Sequence, residues 1–304
     1  MEYRALRPQE VEKWTNLCAA GFEDEPASYF LRHFQNDPDA DASGIFVAVD
    51  GDTFSSSVRV FTRRIHLCGE ELRVAFLGEV CTLPAYRGQG HNSHLIRLAT
   101  EYMDAHGLPL CVLFTGVNHH YAHQGWFTLM RRYVHVELPS AALPEGVTMR
   151  PVEAGDHPAM RALYQSEMSL PCTLVRSDEY WNKWVVCELH DAVVFEREGR
   201  LLSYLAYEGK PGERMLVREW VTAPELDTAA KLSLLAATAE HGGFAPQALV
   251  AEPLLPGVSR DYDEWGDMMV RYNHPFTVAG RTIDSSGALA AALCDATFFE
   301  TDGC

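Results

Sequence analysis

The first apolar residues, Val11, Trp14, Leu17 and Cys18, recur at helical spacing after Pro8 and stop at Gly21. Proline near the start and glycine at the end are the punctuation of one amphipathic helix. A second short helix is predicted after Pro26, with Tyr29, Phe30 and Phe34 on one side. The period then changes. Residues 45–49 (IFVAV), 53–66 and 72–82 read as strands, and the turn-forming pairs Asp50-Gly51 and Gly69-Glu70 between them predict an antiparallel meander. After Pro84 the chain passes through Arg87-Gly88-Gln89-Gly90 into a helix carrying Leu95, Ile96, Leu98, Ala99 and Met103 and ended by Gly107. A buried-type strand at 110–115, a short helix from Asn118 and a strand at 127–138 complete the order ααβββαβαβ.

Leu143-Pro144-Glu145-Gly146 has linker composition, after which the pattern restarts. Helices are predicted near 156–169 and 178–189 and strands at 192–197, 201–208 and 214–222. Glu79-Val-Cys-Thr82-Leu-Pro84 is matched by Glu219-Trp-Val-Thr222-Ala-Pro224, each closing the third strand of its half ahead of a helix. A tandem repeat is expected, with domains at 1–143 and 147–304. The copies differ where the first has Arg87-Gly88-Gln89-Gly90 and the second Glu225-Leu226-Asp227-Thr228, so the second is read as degenerate. The 304-residue length suits two domains of an α/β protein with mixed sheets.

Hydrophobic residues at 47% and charged residues at 22% exclude disordered, collagen-like and coiled-coil chains. With 25 Lys and Arg against 42 Asp and Glu, the net charge is −17. Such a field repels phosphate backbones, which argues against nucleic acid as a partner. It either favours a cationic partner on approach or serves solubility alone. There is no secretion-signal pattern at the start and no apolar run long enough to span a bilayer, so neither secretion nor a membrane partner is expected. The eight cysteines lie far apart without a CxxC pair, several within apolar runs, and are expected as buried thiols in a reducing cytoplasm. His91, His94, His119, His120 and His123 cluster without a cysteine or carboxylate partner at ligand spacing. They are read as surface or loop residues, and no metal is expected. A homo-oligomer remains open.

The glycine loop is where the candidate chemistry concentrates. Closely spaced glycines leading into a helix expose backbone N–H groups without helical acceptors and let a bulky anion approach. The loop is either a pyrophosphate cradle or a structural turn. Its place after a meander, and the lack of a GxxxxGK[ST] sequence, argue against dinucleotide-binding and nucleoside-triphosphate folds.

Val80-Cys-Thr-Leu-Pro84-Ala-Tyr86-Arg87-Gly88-Gln89-Gly90 resembles the acetyl-CoA-binding motif V-x-x-x-P-x-Y-R-G-x-G of the GNAT superfamily of acyl-CoA-dependent N-acyltransferases, with Asn92 where a small residue is usual. Asn118-His-His-Tyr121-Ala-His-Gln-Gly125-Trp126 is similar to the GNAT segment N-x-x-[FY]-x-x-x-G-[FW]. The tandem arrangement looks most like the Eis-type acetyltransferases, whose first half binds acetyl-CoA and whose second is a degenerate copy. The third, sterol-carrier-like domain of that type has no counterpart in the roughly 30 residues after 275.

The resemblance implies an N-acetyltransferase moving an acetyl group from acetyl-CoA to a primary amine of a small acceptor, possibly polycationic, by direct attack. No metal is required. It places Val80, Cys81, Thr82, Arg87, Gly88, Gln89, Gly90, His91, Asn92, Ser93 and Asn118 at the cofactor, with a backbone N–H of Val80 to Thr82 on the thioester oxygen. Tyr121 is implied as proton donor to the leaving thiolate, the alternative being a packed helix-end aromatic. Glu79 is a candidate base, against which Glu219 in the loopless copy suggests a structural role. The terminal carboxylate at Cys304 is a further candidate base, and Cys81 has no histidine placed beside it in sequence to make it a nucleophile. Phe22, Asp24, Glu25, Tyr29 and Phe30 combine aromatic walls with carboxylates suited to an ammonium group, or form an interhelix turn with core aromatics. The rival to catalysis is a non-catalytic acyl-CoA-binding sensor or interaction protein.

Overall fold

The computed structural model describes residues 1–22 and 25–303. In chain order the strands are β1 (Glu2–Ala5), β2 (Ile45–Asp50), β3 (Thr53–Leu67), β4 (Glu70–Thr82), β5 (Leu110–Phe114) and β6 (Trp126–Glu137). They continue with β7 (Val147–Pro151), β8 (Ala192–Arg197), β9 (Arg200–Glu208), β10 (Met215–Thr222), β11 (Gln247–Ala251) and β12 (Tyr262–Tyr272). The helices of the first unit's faces and site are α1 (Val11–Gly21), α2 (Ala27–Asn36), α3 (His91–Ala105) and α4 (Asn118–Ala122).

The chain divides into two compact units, one of Met1–Leu129 with Asp267–Cys294, the other of Met130–Gly266 with Asp295–Gly303. This differs from a cut at the 143–146 linker. The second half of β12 pairs antiparallel with β5, Met268 opposite Phe114 and Tyr272 opposite Leu110, so a C-terminal segment completes the first unit. The sequence is silent on this because β12 (YDEWGDMMVRY) mixes charged and apolar residues without a clean period of two.

In the first unit the sheet order is β1-β2-β3-β4-β5-β12, antiparallel except for β4 beside β5. β1 is too short and too polar to be read from sequence. It exists because its backbone pairs with β2, Glu2 opposite Val49 through Ala5 opposite Phe46. β2 is apolar throughout because both faces are covered. Phe46 and Ala48 face α3, with Leu95, Ile96, Ala99 and Met103 packed on that side. Ile45, Val47 and Val49 face α1 and α2, against Trp14, Leu17, Cys18 and Phe30. Burial of Leu95, Ile96 and Met103 contributes roughly 1.5–3 kcal/mol each, which fixes α3 on the sheet. The second unit repeats the plan, with sheet order β6-β11-β10-β9-β8-β7 and β10 parallel to β11.

Two irregularities of β4 open the sheet beside the glycine loop. Against β3, Gly78 pairs with Arg59 but Cys81 with Ser57, so β4 carries one extra residue. Glu79 sits in this bulge at φ 50°, a left-handed conformation unusual for a side-chain-bearing residue. Against β5, pairing is confined to Ala75–Cys111 and Phe76–Val112. Among the described residues the two strands show no further pairing beyond that point, and they part toward the end that feeds the glycine loop.

Of the cysteines, Cys18, Cys81, Cys111 and Cys172 are buried free thiols, whereas Cys294 is exposed. The expectation of buried thiols is corrected there and at Cys68 and Cys187, which are half-buried: Cys294 follows a short helix that buries Leu289 and is capped by the buried Leu293.

Candidate functional site

Where β4 and β5 part, the first unit contains a cavity of about 660 Å³. Its wall is built from three sources: the end of β4 (Val80, Cys81, Thr82), the loop and first turn of α3 (Tyr86, Arg87, Gly88, Gly90, His91, Asn92, Ser93), and α4 with the residue before it (Val117, His120, Tyr121). Gly21, the last residue of α1, completes it.

The loop has the backbone that the glycines were expected to supply. Gly88 and Gly90 lie at φ 75° and 79°, and Gly90 is the N-cap of α3. A Cβ added at either glycine meets nothing within 4 Å. Glycine is therefore required for conformation here, not for room within the protein. The first backbone donor inside the helix is His94, to the Gly90 carbonyl at 3.1 Å. The N–H groups of residues 91–93 thus have no intrahelical acceptor, and they face the cavity end with the positive pole of the helix dipole. Arg87 bends back, its Nε donating to the Thr82 carbonyl at 3.1 Å.

Tyr121 is 6% exposed, its ring against Trp126 at 6.1 Å between centroids and against His120 at 5.1 Å. Burial pushes its phenol up to about 12. The group is therefore protonated at neutral pH and able only to donate, or to accept at its lone pairs.

Val80, Cys81, Thr82, Arg87, Gly88, Gly90, His91, Asn92, Ser93 and Tyr121 are thus brought together on one wall. Gln89 and Asn118 do not line it. The Gln89 side chain donates to the Ala85 carbonyl at 3.1 Å, and Asn118 Nδ2 donates to Thr128 Oγ1 at 2.8 Å, tying α4 to β6. His91 departs from its expected place at the surface. It is buried, with Nδ1 2.7 Å from the Tyr3 hydroxyl, because β1 lies over the start of α3.

Glu79 also lies apart from the cavity lining. It is buried with both carboxylate oxygens 3.3 Å from Arg59 Nη1. Arg59 Nη2 binds Asp37 at 2.8 Å, Arg63 binds the other Asp37 oxygen at 2.9 Å, and the Arg59 guanidinium lies 3.9 Å from the Phe61 ring centre. Burial raises the Glu79 carboxyl above its ordinary range, with Arg59 opposing. Phe22, Tyr29 and Phe30 form an aromatic cluster, Phe22 5.5 Å and Tyr29 5.2 Å from Phe30. It packs on the α1–α2 core, and neither these aromatics nor Glu25 lines the cavity. Asp24 and Cys304 lie outside the described residues.

Gly21 and Val117 are wall residues that the sequence did not single out as site residues, Tyr86 stood only within the loop motif, and His120 only among the histidines read as surface or loop residues. Gly21 was legible only as a helix stop, yet a Cβ there would lie 2.6 Å from Cys81 Cβ, so the close approach of α1 to β4 depends on it.

The second unit repeats the strand geometry and alters the cradle. β10 pairs with β11 at Met215 and Leu216, and it carries a bulge between Val217 and Glu219. The cavity beside the end of β10 is about 230 Å³, with Lys231 on its wall. The helix after it, Thr228–His241, is capped by Asp227, whose carboxylate accepts from Ala230 N at 2.8 Å. An internal anion already satisfies this helix start, and its charge repels a second one. Among the described residues no group of three or more His, Cys, Asp or Glu side chains is placed to hold a metal ion, and no helix is long and apolar enough to cross a membrane.

The family profile described as an acetyltransferase (GNAT) domain matches residues 2–128. No curated protein matches the chain in sequence. Among solved structures, a probable N-acyltransferase from Enterococcus faecalis is similar at 17% identity and TM-score 0.69, over 91% of this chain and 75% of its own. A GCN5-related N-acetyltransferase from Anabaena variabilis is similar at 16% identity and TM-score 0.67, over 90% and 73%. Eis1 from Mycobacterium abscessus is similar at 13% identity and TM-score 0.64, over 90% and 74%. Residues 2–128 are thus a GNAT-type acetyltransferase domain, within a chain that has the tandem fold of the Eis-like GCN5-related N-acetyltransferases.

Proposed function

We propose that the first unit transfers an acetyl group from acetyl-CoA to a primary amine of a small acceptor by direct attack of nitrogen on the thioester. The observation that carries this reading is the continuity of one cavity from the free N–H groups at the start of α3 to the Tyr121 phenol. The diphosphate of the coenzyme sits on residues 88–93. The pantetheine arm runs along the β4 edge left unpaired beyond Phe76, where a backbone N–H within Val80–Thr82 meets the carbonyl oxygen. The negative field of the chain favours the approach of cationic amines.

Tyr121 lies at the sulfur. A phenol at about 12 facing a thiolate of ordinary pKa near 8.5 makes complete proton transfer uphill by roughly 5 kcal/mol. Tyr121 therefore acts as a hydrogen-bond donor that stabilises developing negative charge on sulfur. Glu79 has a structural part in this reading, holding Arg59 beneath the bulge of β4.

The test is a thiol-release assay with acetyl-CoA across an amine panel, with products identified by mass spectrometry. Amine-dependent release of CoA with an acetylated product supports transfer. Saturable coenzyme binding without release across the panel supports a sensor instead.

A further inference from the structure

Direct attack requires a proton to leave nitrogen and another to reach sulfur, and Tyr121 alone is poorly matched to either task. The titratable side chains of the wall are nearly all engaged. Glu79, behind it, is held by Arg59. Arg87 Nε is bound to the Thr82 carbonyl, the Tyr86 hydroxyl donates to Asp50 at 3.2 Å, and His91 Nδ1 is paired with Tyr3. Cys81 faces the Leu17 carbonyl and the Cys18 thiol on the α1 side.

His120 lines the cavity directly before Tyr121 in α4, with the two rings perpendicular at 5.1 Å. Its Nε2 is buried and has no hydrogen-bond partner among the described residues. His91 Nε2 is also buried and without a hydrogen-bond partner among the described residues, but its ring lies against Tyr3 and Tyr86, whereas that of His120 lies against Tyr121. A buried imidazole nitrogen left unpaired is unfavourable, and in a cavity wall it points to a catalytic role or to a bound water or ion.

We propose that His120 is a further catalytic residue, the proton carrier between the attacking amine and the departing thiolate. This rests on the transferase reading. As the C–N bond forms, neutral His120 takes the surplus proton from nitrogen. As the C–S bond breaks, the imidazolium passes a proton to sulfur, whose charge Tyr121 holds by hydrogen bonding. The products are amide and CoA thiol, imidazole is restored, and no oxidant or further reactant is needed. Imidazole suits the task because its two nitrogens can accept and donate near neutral pH.

The experiment compares wild type with His120→Ala and His120→Asn in steady state, using an amine found active with wild type, and measures acetyl-CoA Kd by calorimetry. The expected result is a kcat lower by about 10²-fold or more in both variants. Acetyl-CoA Kd should stay within about threefold, and added imidazole should partly restore kcat in His120→Ala. A merely structural role would not give imidazole rescue at unchanged coenzyme affinity. Unchanged kcat in either variant overturns the proposal, as does a lowered kcat that imidazole fails to restore in a variant that binds acetyl-CoA normally. If His120→Ala does not fold, His120→Asn and the pH dependence of its kcat decide: an acid limb equal to wild type's overturns the proposal, and its loss supports it. If wild type binds acetyl-CoA and releases no CoA with any amine, the transferase reading itself has failed, a result distinct from these.

Discussion

Gly90→Ala separates the two demands made on the loop. Gly90 lies at φ 79° and caps α3, and an alanine there adopts a left-handed conformation costing about 1–2 kcal/mol. The added methyl meets no protein atom within 4 Å, so no steric cost arises in the free protein. Alanine also narrows the unfolded ensemble, which returns about 0.4–1 kcal/mol. The net loss is about 1 kcal/mol, or roughly 2 °C in Tm for a chain of this length.

The ligand feels a different effect, because the open space that receives the methyl is where the coenzyme diphosphate is placed. Acetyl-CoA affinity should fall by more than tenfold, a loss above about 1.4 kcal/mol. Gly51→Ala is the control. Gly51 lies at φ 58° in the β2–β3 hairpin, equally open and outside the cavity wall. It should lose similar stability and keep its affinity. Calorimetric titration with acetyl-CoA beside thermal unfolding without ligand reads both quantities. If Gly90→Ala and Gly51→Ala bind acetyl-CoA equally well, the cradle argument is refuted.

Further expectations concern the rest of the site and its duplicate. Tyr121→Phe should lower kcat by about 10²-fold with acetyl-CoA Kd nearly unchanged, and equal turnover in a thiol-release assay removes the phenol from the mechanism. Gly21→Ala should destabilise by about 1–3 kcal/mol through overlap with Cys81 Cβ at 2.6 Å, and Cys81→Gly, which removes that carbon, should cost less in the Gly21→Ala chain than in the wild type in urea unfolding. In the second unit, Arg176 is fully buried between Glu219 and Asp302, at 2.8 Å from each, so Arg176→Met should cost about 3–5 kcal/mol at neutral pH. Burial pushes Glu219 up, but Arg176 and the hydrogen bonds of Thr301 and Tyr204 outweigh it and hold the carboxyl below its ordinary range. Its contribution to stability is therefore present above the unfolded value of about 4.3 and lost as pH falls through the lower folded value. Arg176→Met should flatten that acid dependence, and an unchanged slope in unfolding measured from pH 2 to 6 contradicts the ion-pair account.

The fold was legible where local pattern and tertiary role agree. The IFVAV run predicted β2 because a strand covered on both faces must be apolar throughout, and Leu95, Ile96, Ala99 and Met103 predicted α3 because one helical face meets the sheet. β1 and β12 escaped because they are held by backbone pairing with β2 and β5, and their side chains carry little periodic signal. The return of Asp267–Cys294 to the first unit is a long-range event that no local window contains. At the site, the glycines and Tyr121 were readable from their motifs. Gly21 was not, and His120 was read only as a surface or loop residue, since their importance comes from what lies opposite: Cys81 and Tyr121 respectively. The structural part proposed for Glu79 was foreshadowed by Glu219, and both copies place this glutamate against a buried arginine, Arg59 in one and Arg176 in the other.

Diffraction from crystals grown with acetyl-CoA tests the central claim most directly. The account predicts diphosphate density over the backbone N–H groups of residues 91–93 and an acetyl thioester between Val80–Thr82 and Tyr121, with the second unit unoccupied beside Asp227. Full occupancy of the coenzyme at any other place, or none at saturating concentration, contradicts it.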